Sequence, residues 1–336
     1  MLTPIPYKII WIDSIGFSNS DYCKKLMKGF DLVVINSKTR KEVLNKLEKT
    51  KAKFLLISGL HINIDNDIIN AASNPLFIQQ IGVGYEIFDL SLLSQKRISL
   101  CNTKGTSDQS VAELTIWLML SVLRKLSLVE RFLRKGIWKN NLREYCYELS
   151  GKTIGLIGCG NIGKKIASLL YPFNCEQIFY YKRNPMTILE EQNLRIKYID
   201  LDKLLKTSDI ISLHLPLSKK TRHLIDDREL NMMKRSSILI NTSRGGIINE
   251  HALINALNNG VIKGAGLDVF DPEPPCKDNP LLKMENTVVT PHVGGSTYDS
   301  SKLKLKRAFL NIAQVANGER PNEDDIILDF FNLKRN

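Results

Sequence analysis

Short apolar runs alternate with helix-spaced segments along most of the chain. Between residues 7 and 101, YKIIWI, DLVVI, FLLIS, LFIQQIG and RISLC are bounded by polar or glycine turns, which predicts strands. TRKEVLNKLEK and DNDIINAA carry helical spacing between them. Asp65 is placed to cap the second, although Ile68 stands where a capping box needs Glu or Gln. After residue 150 the alternation resumes. TIGLI, QIFYY, IISLHLP, SILINTS, GAGLDVF and NTVVT predict strands. KKIASLLYPF, DKLLKTS, DRELNMMK and EHALINALNNG predict helices, the last closed by Gly260. A pattern from Ser107 to Lys135 is apolar nearly all round from Val111 to Leu123 and amphipathic beyond, predicting one long helix that Gly136 ends. A last helix is expected from about Thr297 to Asn317, packing back on the first domain. Strands alternating with helices place the chain in the α/β class with parallel sheets.

A length of 336 residues suits two domains, and 43% hydrophobic with 24% charged residues is the balance of a soluble globular protein. No apolar run is long enough to span a bilayer, and the first residues lack a signal-peptide pattern, so the expectation is cytoplasmic with no membrane partner. The net charge of +12 would steer anionic ligands, but the lysines are dispersed and no nucleic-acid motif is present. A solvated basic surface is the plainer reading, and no nucleic-acid partner is expected. The cysteines show neither C-x-x-C nor metal-ligand spacing, so reduced thiols and no metal are expected.

The candidate chemistry starts at TIGLIGCGNIG, residues 153–163. Gly158, Gly160 and Gly163 form G-x-G-x-x-G between a predicted strand and a predicted helix, the context a dinucleotide site requires. Gly158 serves the tight turn, Gly160 admits a diphosphate to the backbone, and Gly163 allows close helix packing. Cys159, Asn161 and Ile162 lie in the same loop, Cys159 as a small filler whose N–H counts for more than its sulfur. About 20 residues on, where an acid would bind an NAD ribose, the strand ends Tyr181-Lys182-Arg183. Two cations suit a 2′-phosphate, so NADP is favoured and NAD remains open, with Arg183 the first candidate and Lys182 the second.

Three polar residues follow later strands: Arg244 after SILINTS, Glu273 after GLDVF, and His292 after TVVT. Moving a hydride to a carbonyl needs an acid for the oxygen and a cation for a neighbouring carboxylate. His292 fits the acid, Glu273 a partner that fixes its tautomer and favours its charged form, and Arg244 the carboxylate clamp. In the first domain the loops at Ser58–His61 and Gly82–Tyr85 lie at strand ends, and the backbone around Val83 and Gly84 suits a carboxylate or is an ordinary glycine turn.

The stretches IGVGYEIFDL, NTKGTSDQSVAEL, ELSGKTIGLIGCGNIG, LHLPLSKKTRHLI, NTSRGGIINEHAL, GAGLDVFDPEP and TPHVGGST together resemble the D-isomer-specific 2-hydroxyacid dehydrogenases, in that family's order and over nearly the whole chain. The resemblance implies a Rossmann dinucleotide-binding domain, residues 102–294, inserted into a flavodoxin-like parallel α/β substrate domain, residues 1–101 with 295–336. It implies the catalytic set Arg244, Glu273 and His292, and a cofactor set extending to His214, Pro216, Thr242, Ser243, Asp268 (near the nicotinamide amide) and Gly294. Leu60, Val83 and Gly84, with Arg244 and His292, would bind the substrate. A homodimer built on the helix near 107–135 is implied as well. Tyr181 replaces the family's usual Asp, Glu86 stands where Asp is commoner, and the loop Ser58–His61 lacks the Arg of phosphoglycerate-type members. The expected reaction is reduction of a small anionic 2-keto acid such as glyoxylate or hydroxypyruvate. Phosphoglycerate, phosphite or a sugar-derived acid is the alternative substrate, with Leu60, His61, Tyr85 and Tyr298 expected to shape the choice. A nucleotide-responsive interaction module like the C-terminal-binding-protein corepressors is the alternative of another class.

Overall fold

Apolar runs become parallel strands here because both faces of each sheet are covered by helices, so every strand position can be buried. The computed structural model describes residues 7–37, 39–59, 62–138 and 146–331, and the chain divides into two units, Met1–Ser107 with Thr297–Asn336, and Asp108–Ser296.

The first unit begins with β1 (Lys8–Asp13), α1 (Asp21–Leu26), β2 (Asp31–Ile35), α2 (Arg40–Glu48), β3 (Phe54–Ser58), α3 (Asn66–Ala71), β4 (Phe77–Ile81), α4 (Leu90–Gln95) and β5 (Ser99–Cys101). Asp65 caps α3 by accepting the Ile68 N–H at 3.3 Å. Its parallel strands lie in the order 2-1-3-4-5 of flavodoxin-like sheets.

The second unit opens with α5 (Asp108–Arg124) and α6 (Leu126–Arg134), where the sequence predicts one helix. The break is at Lys125, whose φ of 51° is left-handed. Leu123 and Leu128 are both buried, and a continuous helix would set them about 140° apart around its axis. The kink turns both inward, which helix periodicity alone could not reveal. There follow β6 (Thr153–Ile157), α7 (Asn161–Leu170), β7 (Gln177–Tyr181), α8 (Ile188–Leu194), β8 (Lys197–Tyr198), α9 (Leu201–Thr207), β9 (Ile210–Leu213), α10 (Asp227–Met232), β10 (Ile238–Asn241), α11 (Glu250–Asn258), β11 (Gly264–Leu267) and β12 (Thr287–Val289). All pairs are parallel, in the order β12-β11-β10-β9-β6-β7-β8. This is the Rossmann arrangement, with its switch point between β6 and β9. Gly260 takes a left-handed φ of 63° just past the end of α11.

The chain then returns to the first unit with α12 (Tyr298–Ala316) and β13 (Ile326–Leu328), which pairs antiparallel to β5. α12 packs on the first unit's sheet, with Phe309 edge-on to Trp11 at 6.1 Å. In chain order a Rossmann unit is thus inserted into a flavodoxin-like one.

Candidate active site

The glycine loop leaves β6 at the switch point. Gly158 has a φ of 89°, and a Cβ there would lie 2.7 Å from the His214 carbonyl carbon, so only glycine fits. Its N–H donates to the Tyr181 carbonyl at 2.8 Å, tying the loop to the end of β7. A Cβ on Gly163 would meet the Gly158 carbonyl oxygen at 2.8 Å, which is the close helix approach expected of that position. A Cβ on Gly160 would meet nothing within 4 Å. The loop's open side is therefore at Gly160, which begins α7 with no side-chain cap. Uncapped N–H groups at a helix start with clear space before them fit an anionic diphosphate. Asn161 and Ile162 form the first turn, and Cys159 is buried beneath, its thiol pushed up to about 11 by burial. His214, after β9, is half-buried, with Nε2 2.8 Å from the Ser212 hydroxyl. Desolvation pushes it down to about 3, so it is neutral near pH 7. Pro216 is exposed beyond it. Lys182 and Arg183 follow Tyr181 and form no ion pair among the described residues.

The polar trio sits on the other half of the same sheet, after the neighbouring strands β10, β11 and β12. Asn241, at the end of β10, shapes the turn that bears Arg244. Its Oδ1 accepts the Ser243 N–H and hydroxyl at 3.0 and 2.8 Å, and its Nδ2 donates to the Arg244 carbonyl at 2.9 Å. Thr242 is buried, 2.9 Å from the Thr115 hydroxyl of α5. Gly245 follows, and a Cβ there would come within 2.6 Å of Phe270 Cα and closer still to its carbonyl. The β10 turn and the end of β11 are thus in backbone contact, which brings the Arg244 charge to bear on Glu273.

Glu273 accepts the Phe270 N–H at 3.1 Å through Oε1, and its Oε2 lies 2.7 Å from His292 Nδ1. Burial alone would raise its carboxyl. The His292 hydrogen bond and charge, the Phe270 N–H and Arg244 outweigh that and hold it below the usual range. His292 has a left-handed φ of 52°. Asp268, nearly fully buried, holds it in place: its Oδ1 accepts the Thr290 hydroxyl at 2.6 Å and the Val293 N–H at 2.8 Å, and its Oδ2 the Gly294 N–H at 2.8 Å. Desolvation outweighs these bonds and raises its pKa. Asp268 and Gly294 are therefore joined in the loop that presents His292. With Nδ1 committed to Glu273, Nε2 makes no hydrogen bond among the described residues.

In the first unit, Val83 is exposed beside Gly84, and neither N–H has an acceptor among the described residues. Thr103 Oγ1 accepts the Gly82 N–H at 2.9 Å, and Asn102 Nδ2 donates to the Val83 carbonyl at 2.9 Å, fixing the loop. Leu60 and His61 lie outside the described residues. Sequence reasoning missed Asn241, Asn102 and Thr103. The signal was a polar residue closing or following an apolar strand, as in ILIN and SLCNT. Among the described residues no three His, Cys, Asp or Glu side chains cluster as a metal site, and no helix is long and apolar enough to cross a membrane.

Comparison with known proteins accords with this arrangement. Residues 116–294 match the model of the D-isomer specific 2-hydroxyacid dehydrogenase, NAD binding domain. The glyoxylate reductase of Thermococcus litoralis is 37% identical over 281 residues, covering 82% of this chain and 84% of that protein. The hydroxypyruvate reductase of Thermotoga maritima is 38% identical over 279 residues, covering 82% and 89%. Among solved structures, an acyclic imino acid reductase in complex with NADPH and D-Arg superposes with a TM-score of 0.83 at 29% identity, covering 96% of this chain and all of that one.

Proposed function

For a chain that belongs to the D-isomer-specific 2-hydroxyacid dehydrogenase family, we propose reduction of a small 2-keto acid, glyoxylate or hydroxypyruvate, with NADPH preferred to NADH. The product is the 2-hydroxy acid, of D configuration where the carbon is chiral. The observation that carries the reading is the 2.7 Å His292–Glu273 pair, with Arg244 acting on the same carboxylate, at the ends of three adjacent strands.

The 153–163 loop and the start of α7 would hold the dinucleotide, which when bound supplies the hydride for the keto carbon. His292 Nε2 delivers the proton to the keto oxygen while Nδ1–H stays on Glu273, so the carboxylate orients the ring and supports its charged form. Arg244 forks onto the substrate carboxylate and polarises the adjacent carbonyl. NADPH is favoured because the ribose-facing strand ends in Tyr181, Lys182 and Arg183 with no acid to repel a 2′-phosphate.

A homodimer is supported by exposed apolar side chains on α5, α6 and just beyond: Trp117, Leu133 and Trp138 are 42%, 58% and 71% exposed. A reducing, cytoplasmic setting is supported by six free cysteines, of which Cys23, Cys101 and Cys159 are buried.

Purified protein with glyoxylate or hydroxypyruvate should consume NADPH faster than NADH. His292→Ala should lower kcat by roughly 10²- to 10⁴-fold. Unchanged turnover in that variant overturns the acid assignment, and failure to turn over either acid overturns the substrate reading.

A further inference from the structure

The loop after β7 bears Lys182 and Arg183, two adjacent cations that form no ion pair among the described residues. Like charges side by side repel, and long side chains carry high rotamer entropy, so their aim depends on how firmly the backbone beneath them is fixed. Tyr180 supplies that fixation. Its side chain is wholly buried, packed edge-on to Tyr198 at 5.6 Å. Its hydroxyl accepts the Met186 N–H at 2.8 Å and donates to Glu191 Oε1, on α8, at 2.6 Å. One side chain thus ties the strand before the loop to both the residue that ends the loop and the helix that follows.

A second tie runs through Glu190. Its Oε1 accepts Lys164 Nζ of α7 at 2.6 Å, and its Oε2 accepts the Thr187 N–H and hydroxyl, each at 3.1 Å. The start of α8 is therefore fastened both to β7 and to the helix that opens at the glycine loop. Burial and the Glu191 carboxylate push the Tyr180 hydroxyl up to about 12, so it remains a donor at neutral pH.

We infer that the Tyr180 hydroxyl is a positioning group for cofactor selection, fixing residues 182–186 so that Lys182 and Arg183 converge on a 2′-phosphate. The inference rests on the NADPH reading above and assigns its structural support. Phenylalanine would fill the same volume but could neither accept the Met186 N–H nor donate to Glu191, leaving both groups without that partner. A cofactor without the 2′-phosphate makes no use of the two cations, so the loss should be selective.

The test is calorimetric titration of the full chain with 2′,5′-ADP, which carries the 2′-phosphate, and with 5′-AMP, which does not. Wild type should bind 2′,5′-ADP at least about ten-fold more tightly, the discrimination of one good charged contact. Tyr180→Phe should lose about ten-fold in 2′,5′-ADP affinity, the cost of a buried hydrogen bond, and no more than about two-fold in 5′-AMP affinity. In steady state its KM for NADPH should rise with kcat unchanged. A folded Tyr180→Phe that keeps wild-type discrimination overturns the inference and leaves the NADPH reading standing. A wild type that does not discriminate overturns both. If Tyr180→Phe does not fold, Glu191→Ala carries the test, since it keeps ring and hydroxyl and removes only the acceptor. A smaller loss for 2′,5′-ADP alone is then expected, and undiminished discrimination overturns the inference.

Discussion

Gly245→Ala is the perturbation that most directly probes how the polar trio is assembled. The added Cβ would lie 2.6 Å from Phe270 Cα and nearer still to the Phe270 carbonyl, whereas ordinary contact begins at 3.4 Å. The atoms met belong to backbone, so no rotamer change relieves the clash. The β10 turn and the end of β11 must part by about 1.4 Å to restore ordinary contact with the carbonyl, with dispersion lost around the gap. Arg244 precedes Gly245, and Glu273 is anchored on the Phe270 N–H, so this displacement falls on the geometry between Arg244, Glu273 and His292. Misplacement of about 1 Å can cost about 100-fold in rate, and overpacking costs about 1–3 kcal/mol in stability. The assay is kcat/KM for glyoxylate reduction beside a thermal melt, with 2′,5′-ADP affinity as a check on the glycine loop across the sheet. The expected result is a loss of about 100-fold in kcat/KM, a modestly lowered Tm and near-normal 2′,5′-ADP binding. Gly246→Ala is the matched control. Its Cβ would meet the Asp271 Oδ2 at 2.8 Å, the end of a side chain whose displacement gives up only a solvent-exposed ion pair with Arg222, so activity should stay within a few-fold. Wild-type kcat/KM in Gly245→Ala would refute the argument that this contact sets the trio.

Asp268→Asn should destabilise the protein by about 1–3 kcal/mol, because an amide Nδ2 would face the Val293 or Gly294 N–H, donor against donor; chemical denaturation measures the loss, and kcat should fall as the His292 loop relaxes. Lys304 is buried, and desolvation lowers its pKa from the ordinary 10.5 to about 8. Between those values the unfolded chain holds a proton that the folded chain has shed, so stability should rise as pH increases from about 8 to 10.5. Denaturation curves taken from pH 7 to 11 should show this rise, and Lys304→Met should remove it.

How much could be read beforehand depended on whether the information was local. Strands such as FLLIS and TIGLI were legible because an apolar run bounded by turn residues needs no partner to identify it. Among the six-residue helices, α3 and α10 were read from DNDIINAA and DRELNMMK, whereas α1 and α4 were not, although Ser20 and Asp89 cap them through the Cys23 and Leu92 N–H groups. β13 is three residues long and becomes a strand only through its pairing with β5. The break at Lys125 likewise answers to what Leu123 and Leu128 must bury, and neither glycine nor proline marks it.

The same division runs through the site. Arg244, Glu273 and His292 stood out because each follows an apolar strand, and in a parallel sheet those ends gather on one edge. How they are fixed was not legible, even for Asp268, which the resemblance places near the nicotinamide amide. Asn241 shapes the Arg244 turn, Gly245 permits the backbone contact with Phe270, and the Asp268 carboxylate holds the His292 loop from below. Each of these acts on a residue distant in sequence or on the backbone, and a chain of letters records neither. Reactive groups are therefore legible from chemistry and strand order, while the precision with which they meet belongs to groups that have no chemistry of their own. Gly245 is the extreme case: it contributes nothing but the absence of a side chain, and the 2.7 Å contact between His292 and Glu273 is expected to depend on it.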